Sequence, residues 1–136
     1  MRVALGDVGR IADNKVVRVL VAARERGVPL VYDVHHHRCH GDGLSEAEAT
    51  EWAVATWGQE PLFHVSSPLA GWEGPEPERH HDFIDLADFP ACWRGLDLTV
   101  EVEAKAKEVA VLKLMSELQG SPHGRVEPTN NRENLP

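Results

Sequence analysis

The sequence predicts an α/β fold in which parallel strands alternate with helices in about four βα units, half of a TIM (β/α)8 barrel or a small open sheet. Three observations carry this. Short apolar runs alternate with stretches of helical periodicity as far as Leu118. Successive strand–helix units require parallel strands joined by right-handed crossovers. The 136 residues are about half of the ~250 that a closed eight-fold barrel needs. The expectation is therefore a portion of a larger barrel, or a chain that pairs with a second copy.

The elements follow in order. Val3-Ala4-Leu5 is a first strand, followed by a turn with Gly6, Asp7 and Gly9. From about Asp13 to Arg26, Val16, Val17, Val19, Leu20 and Ala23 recur at helical spacing, and Gly27 supplies the stop. Leu30 to Val34 reads as a short buried strand. A polar loop leads to Ser45, which with Glu48 has capping-box spacing for a helix to about Trp57. Pro61 to Ser66 is a third strand, and Pro68 to Glu78 a long polar loop. Asp85 to Trp93 is a short helix made irregular by Pro90. Leu98, Val100 and Val102 alternate as one face of a fourth strand. Lys105 to Leu118 is the last helix, with Val109, Leu112, Met115 and Leu118 on one face. This gives a domain over 1–118, with a disordered tail over 119–136 where periodicity ends.

Composition narrows the function. Hydrophobic residues make up 42% and charged residues 26%, ordinary for a globular protein. No apolar run approaches the ~20 residues of a membrane helix, so no membrane partner is expected. The N-terminus lacks a signal-peptide core, and Cys39 and Cys92 form no disulfide framework, which favours a reducing cytoplasm. The net charge of −8 argues against nonspecific nucleic-acid binding and suits a protein that binds divalent cations. The dinucleotide, P-loop and nucleophile-elbow motifs are all missing.

Chemistry concentrates at the strand ends. Asp33 closes the second strand and runs into His35-His36-His37; His64 lies near the end of the third; Glu103 closes the fourth. His80, His81 and Asp82 follow in the loop after the third strand. The carboxyl ends of parallel strands face the ligand site, so these residues share one edge. Carboxylates gathered there repel one another unless a cation lies between them. Mixed imidazole and carboxylate donors suit Mn, Zn or Fe. Taken singly, His64 reads as a core histidine, Glu103 as a helix cap and His80-His81-Asp82 as a solvated loop; their joint placement turns the reading to metal. Cys39 has no C-x-x-C partner and is a poor candidate for structural zinc or for a thiol nucleophile.

These segments also resemble a known family. Pro29-Leu30-Val31-Tyr32-Asp33-Val34-His35-His36-His37 is similar to the PLV-x-D-x-HHH segment of UV damage endonucleases. Phe63 to Pro68 resembles their strand with a metal-binding histidine, His80 to Asp85 their H-x-D-Y-I-D segment, and Val102 to Glu108 their LEAK-x-K-E segment. The resemblance covers about Met1 to Leu118 and corresponds to the C-terminal half of a family member. It implies a TIM barrel related to endonuclease IV that cuts damaged double-stranded DNA 5′ to UV photoproducts and abasic sites with manganese, or zinc or another divalent metal in its place. It implies Asp33, His36, His64, His80 and Glu103 as metal ligands, with Asp82 as a partner in the same loop and Asp33, His64 and Glu103 as the catalytic residues. A metal-activated water would attack the phosphodiester while the ions neutralise developing charge. The missing N-terminal half of the barrel, or a second copy, would be a partner.

Two positions depart from the family pattern. Leu62 stands where the family has a lysine, two residues before the strand histidine. Leu5-Gly6-Asp7 stands where it has a metal-bridging glutamate. Two other readings stay open: a sugar isomerase-like metalloenzyme of the same barrel type, and a non-catalytic metal-binding remnant.

Overall fold

The computed structural model describes residues 15–40 and 43–120. The Val3–Leu5 strand, Asp7 and the tail beyond Gly120 lie outside the described residues. Three parallel strands form one sheet in the order β1-β2-β3, with β1 at Tyr32–Asp33, β2 at Leu62–Val65 and β3 at Thr99–Val102. The helices are α1 (Lys15–Arg26) before β1, α2 (Val34–His40) and α3 (Glu46–Val54) between β1 and β2, and α4 (Glu108–Gly120) after β3; the crossover from β2 to β3 carries only 3-10 turns. The sheet is open, a partial barrel rather than a closed one. Among the described residues no helix is long and apolar enough to cross a membrane.

Local chemistry explains most boundaries. Gly27, at φ +63°, ends α1: its N–H donates to Arg24 O at 3.3 Å and the Val28 N–H to Ala23 O at 2.9 Å, the paired bonds of a Schellman motif. Arg24 and Arg26 in the last turn complement the helix dipole. The Ser45–Glu48 capping box opens α3 as expected. α3 is α-helical to Val54 and then tightens into i→i−3 turns that reach Trp57, with Thr56 N–H donating to Ala53 O and Trp57 N–H to Val54 O, each at 3.0 Å. Thr56 Oγ1 accepts from Leu30 N–H at 2.9 Å and Trp57 Nε1 donates to Leu30 O at 2.8 Å. Those bonds occupy the backbone of Leu30, so β1 begins only at Tyr32. Pro90 splits the irregular segment into two 3-10 turns, Leu86–Asp88 and Ala91–Trp93.

The histidine run is helical rather than looped. Asp33 caps α2: its Oδ1 accepts from the His36 N–H at 3.0 Å. α4 starts three residues later than the periodicity suggested. The N–H groups of Lys105 and Ala106 donate to His81 O and Asp82 O, and Lys107 sits at φ +50°, outside the helical region. Its first turn therefore carries Glu108, the favourable sign for the dipole, and not the lysines.

The core joins Leu20, Tyr32, Val34, Ala49, Ala53, Phe63, Val65, Ile84, Trp93 and Leu114. Leu98, Val100 and Val102 pack against it from one face of β3, as the alternation predicted. The face of α4 differs. Ala110 and Leu114 turn inward, whereas Val109, Leu112 and Met115 are 55%, 67% and 51% exposed. Of the expected stripe only Leu118 packs inward.

The long loop after β2 is ordered. An antiparallel bridge joins Pro68 to His80, with Leu69 N–H donating to Arg79 O at 2.7 Å and His81 N–H to Ser67 O at 2.8 Å. Within it a Cβ on Gly74 would fall 2.2 Å from the Ala70 carbonyl oxygen. Gly74→Ala is expected to cost about 1–3 kcal/mol through this clash with backbone. A thermal melt coinciding with that of the unsubstituted chain would mean that the turn relaxes freely.

Candidate metal centre

The strand register builds the site. Asp33 pairs with His64 across β1 and β2, and His64 with Glu101 across β2 and β3. Side chains alternate along a strand, so these three lie on the face opposite Phe63 and Val65. Glu103 follows two residues after Glu101 on the same side, its N–H donating to Val65 O at 2.9 Å. Asp33, His64 and Glu103 each offer a donor atom, and these atoms lie within 4.8 Å of one another.

The five expected ligands fall into two contact groups, His36–Asp33 and His64–Glu103–His80, and of the five only Asp33, His64 and Glu103 converge with their donor atoms. His36 Nδ1 lies 3.2 Å from Asp33 Oδ2, His64 Nδ1 3.2 Å from Glu103 Oε1, and His80 Nε2 3.9 Å from Glu103 Oε2. Asp82 is exposed, and its carbonyl takes the Ala106 N–H; its carboxylate is outside the triad. Glu101 was not singled out in the sequence, yet its Oε2 lies 3.1 Å from His64 Nε2. Its signal was the two-residue spacing to Glu103, which puts both on one strand face. His64 thus sits between two carboxylates, one at each ring nitrogen.

The donor set fits a divalent cation. Bonds of about 2.0–2.2 Å to a shared ion place donors roughly 3–4 Å apart, and the three donor atoms here lie within 4.8 Å of one another. Two carboxylates and an imidazole suit a borderline transition metal, and the cation would offset the repulsion between Asp33 and Glu103. Leu62 shares the strand face of His64, where a lysine would face the same site.

Residues around the cluster hold its frame. His37 is buried, with Nδ1 2.5 Å from the Tyr32 hydroxyl. Arg38 donates from Nε and NH2 to the two Glu46 oxygens at 2.5 and 3.0 Å, and from NH1 to Asp88 O at 2.7 Å. The buried Asp88 carboxylate accepts from Ser67 Oγ at 2.6 Å and Trp72 Nε1 at 2.8 Å. This network ties α2 to the loop that carries His80. Cys39 is half-buried; burial first, then the negative charges of Glu78 and Asp33, push its thiol up from the ordinary range. That keeps it protonated, the opposite of what a nucleophile needs.

Comparisons with known proteins agree with the motifs. The family model of UV-endonuclease UvdE matches residues 13–129. The UV DNA damage endonuclease of Halalkalibacterium halodurans is 38% identical over 109 residues, covering 74% of this chain and 33% of that protein. The one from Deinococcus radiodurans is 43% identical over 98 residues, covering 66% and 30%. The chain thus spans about a third of the length of the curated relatives it matches. The crystal structure of SacUVDE superposes with a TM-score of 0.65 at 25% identity, over 76% of this chain and 35% of that one. With its motifs, its parallel sheet and these matches in agreement, the chain belongs to the UV-endonuclease UvdE family.

Proposed function

We propose that this chain carries the carboxyl-terminal portion of a metal-dependent endonuclease that cuts damaged duplex DNA on the 5′ side of UV photoproducts or abasic sites. One observation carries the reading: Asp33 at the end of β1, His64 in β2 and Glu103 just beyond β3 bring their donor atoms within 4.8 Å of one another. Family membership supports the substrate class. We propose Asp33, His36, His64, His80 and Glu103 as ligands and manganese as the metal. When bound, such an ion supplies charge neutralisation at the phosphodiester and a water-derived nucleophile near neutral pH. The chain's own contribution is positional. Asp33 is fixed by its capping bond to the His36 N–H, and His64 is held in register between the two flanking strands.

The rest of the family's fold is the proposed partner. β3 is an edge strand among the described residues, and Val109, Leu112 and Met115 of α4 lie exposed. An exposed apolar helix stripe and an open strand edge are what a neighbouring βα unit would cover. A binding-only reading is favoured by Leu62 at the family's lysine position and by Leu5-Gly6-Asp7 where the family has a bridging glutamate.

The test is a calorimetric Mn2+ titration of the chain, followed by nicking of UV-irradiated plasmid with and without the amino-terminal portion of a relative. Saturable binding and nicking restored by the added portion are expected. Saturable binding without nicking in either case would favour the binding-only reading. A chain that takes up no Mn2+ would count against the metal centre altogether.

A further inference from the structure

The motif His35-His36-His37 supplies one candidate ligand, His36, and one core contact, His37 to Tyr32. His35 is used by neither role, yet it is 0% exposed. We infer that His35 is a positioning residue, whose buried imidazole pins the loop after β2 so that His80 is held at the metal centre. This rests on the metal reading proposed above.

The geometry is specific. His35 Nε2 lies 2.7 Å from Pro77 O, forty-two residues away. A carbonyl only accepts, so Nε2 carries the proton and donates it. The other ring nitrogen, Nδ1, is buried with no hydrogen-bond partner among the described residues. A buried polar atom without a partner costs stability, so a packing role alone would favour an apolar residue here. The imidazole is retained where its far nitrogen reaches the loop. Its ring also stands 5.2 Å from the His80 ring, edge to face, and 5.1 Å from the Trp72 indole. The loop needs holding at this point: Glu76, immediately before Pro77, sits at φ +50°, a strained conformation for a residue with a side chain. Three residues beyond Pro77 comes His80, whose Nε2 lies 3.9 Å from Glu103 Oε2.

The experiment compares two variants. His35→Gln places an amide nitrogen where Nε2 was and keeps the donor to Pro77 O. His35→Asn is one methylene shorter and loses it. Two readouts are taken: hydrogen exchange at the Leu69 and His81 amides, which close the loop, and Mn2+ affinity by calorimetry. His35→Asn is expected to exchange faster at both amides and to bind Mn2+ about 10–100-fold more weakly, the usual effect of losing an outer-shell support. His35→Gln should stay within about threefold of the unsubstituted chain on both, as should the protection of Phe63 in the core strand.

Equal Mn2+ affinity in all three proteins would overturn the inference, even if the loop amides loosen. So would equal losses in the Gln and Asn variants, since these would assign His35 to packing alone. If His35→Asn fails to fold, His35→Gln decides by itself, because a tenfold loss there means that the donor is not what matters. A failure of the metal reading is distinct: it appears as absence of Mn2+ binding in the unsubstituted chain, and it takes this inference with it.

Discussion

Glu103→Gln is expected to weaken Mn2+ binding by at least ~10–100-fold, the scale set by loss of supporting groups around a metal. The substitution keeps size and shape and removes only the charge. Glu103 meets two candidate ligands, with Oε1 at His64 Nδ1 and Oε2 toward His80 Nε2, so one neutralised side chain affects both sides of the centre. It is about 30% exposed and lies beyond the core, so the apo fold should be spared. Removing one negative charge from a group that includes Asp33 and Glu101 relieves repulsion and should leave apo stability equal or slightly higher. The informative measurement is the thermal midpoint with and without Mn2+. A ligand at a hundred times its Kd adds ~2.7 kcal/mol to the folded state. The unsubstituted chain should gain that increment and the variant should lose most of it. Equal metal-induced shifts in both proteins would remove Glu103 from the ligand set.

The second large effect lies one residue from His64. Phe63→Ala should destabilise the chain by about 3–5 kcal/mol, the range for deleting a fully buried aromatic side chain. Phe63 is 0% exposed and sits in the central strand. Its ring stands at 90° to Tyr32 with centroids 5.6 Å apart, and tilts against Trp93 at 5.4 Å. A domain's whole stability is of the order of 5–15 kcal/mol, so this one substitution removes a large share of it. Urea unfolding followed by circular dichroism measures the loss. A change below about 1 kcal/mol would mean that the cavity collapses at little cost.

Local signals were legible in the sequence where one residue determines the local backbone. Gly27 ends α1, Ser45 and Glu48 open α3, and Pro90 breaks the segment after Ile84, each for a reason contained within a few residues. Strand-end placement was legible too, because a parallel sheet delivers Asp33, His64 and Glu103 to one edge whatever the side chains between them. What stayed hidden depends on distant partners. α2 is built from histidines, which have poor helix propensity, and it is held by the Asp33 cap and by Arg38 reaching Glu46. The rotation of α4, which buries Ala110 and Leu114 in place of Val109 and Leu112, depends on what packs against it, which periodicity does not encode. His35 could not be distinguished from His36 by spacing, since its partner Pro77 is forty-two positions away.

The register of β2 has a consequence for how this chain can vary. Phe63 and Val65 face the core while His64 faces the cluster, a strict two-residue alternation. A one-residue insertion or deletion between Leu62 and Val65 would send His64 into the apolar interior and Phe63 toward the carboxylates. The apolar packing and the clustered donor atoms would be lost in the same event. A change of length compatible with this register falls in the connections, whereas Leu62, on the same face as His64, can be substituted in place without shifting it.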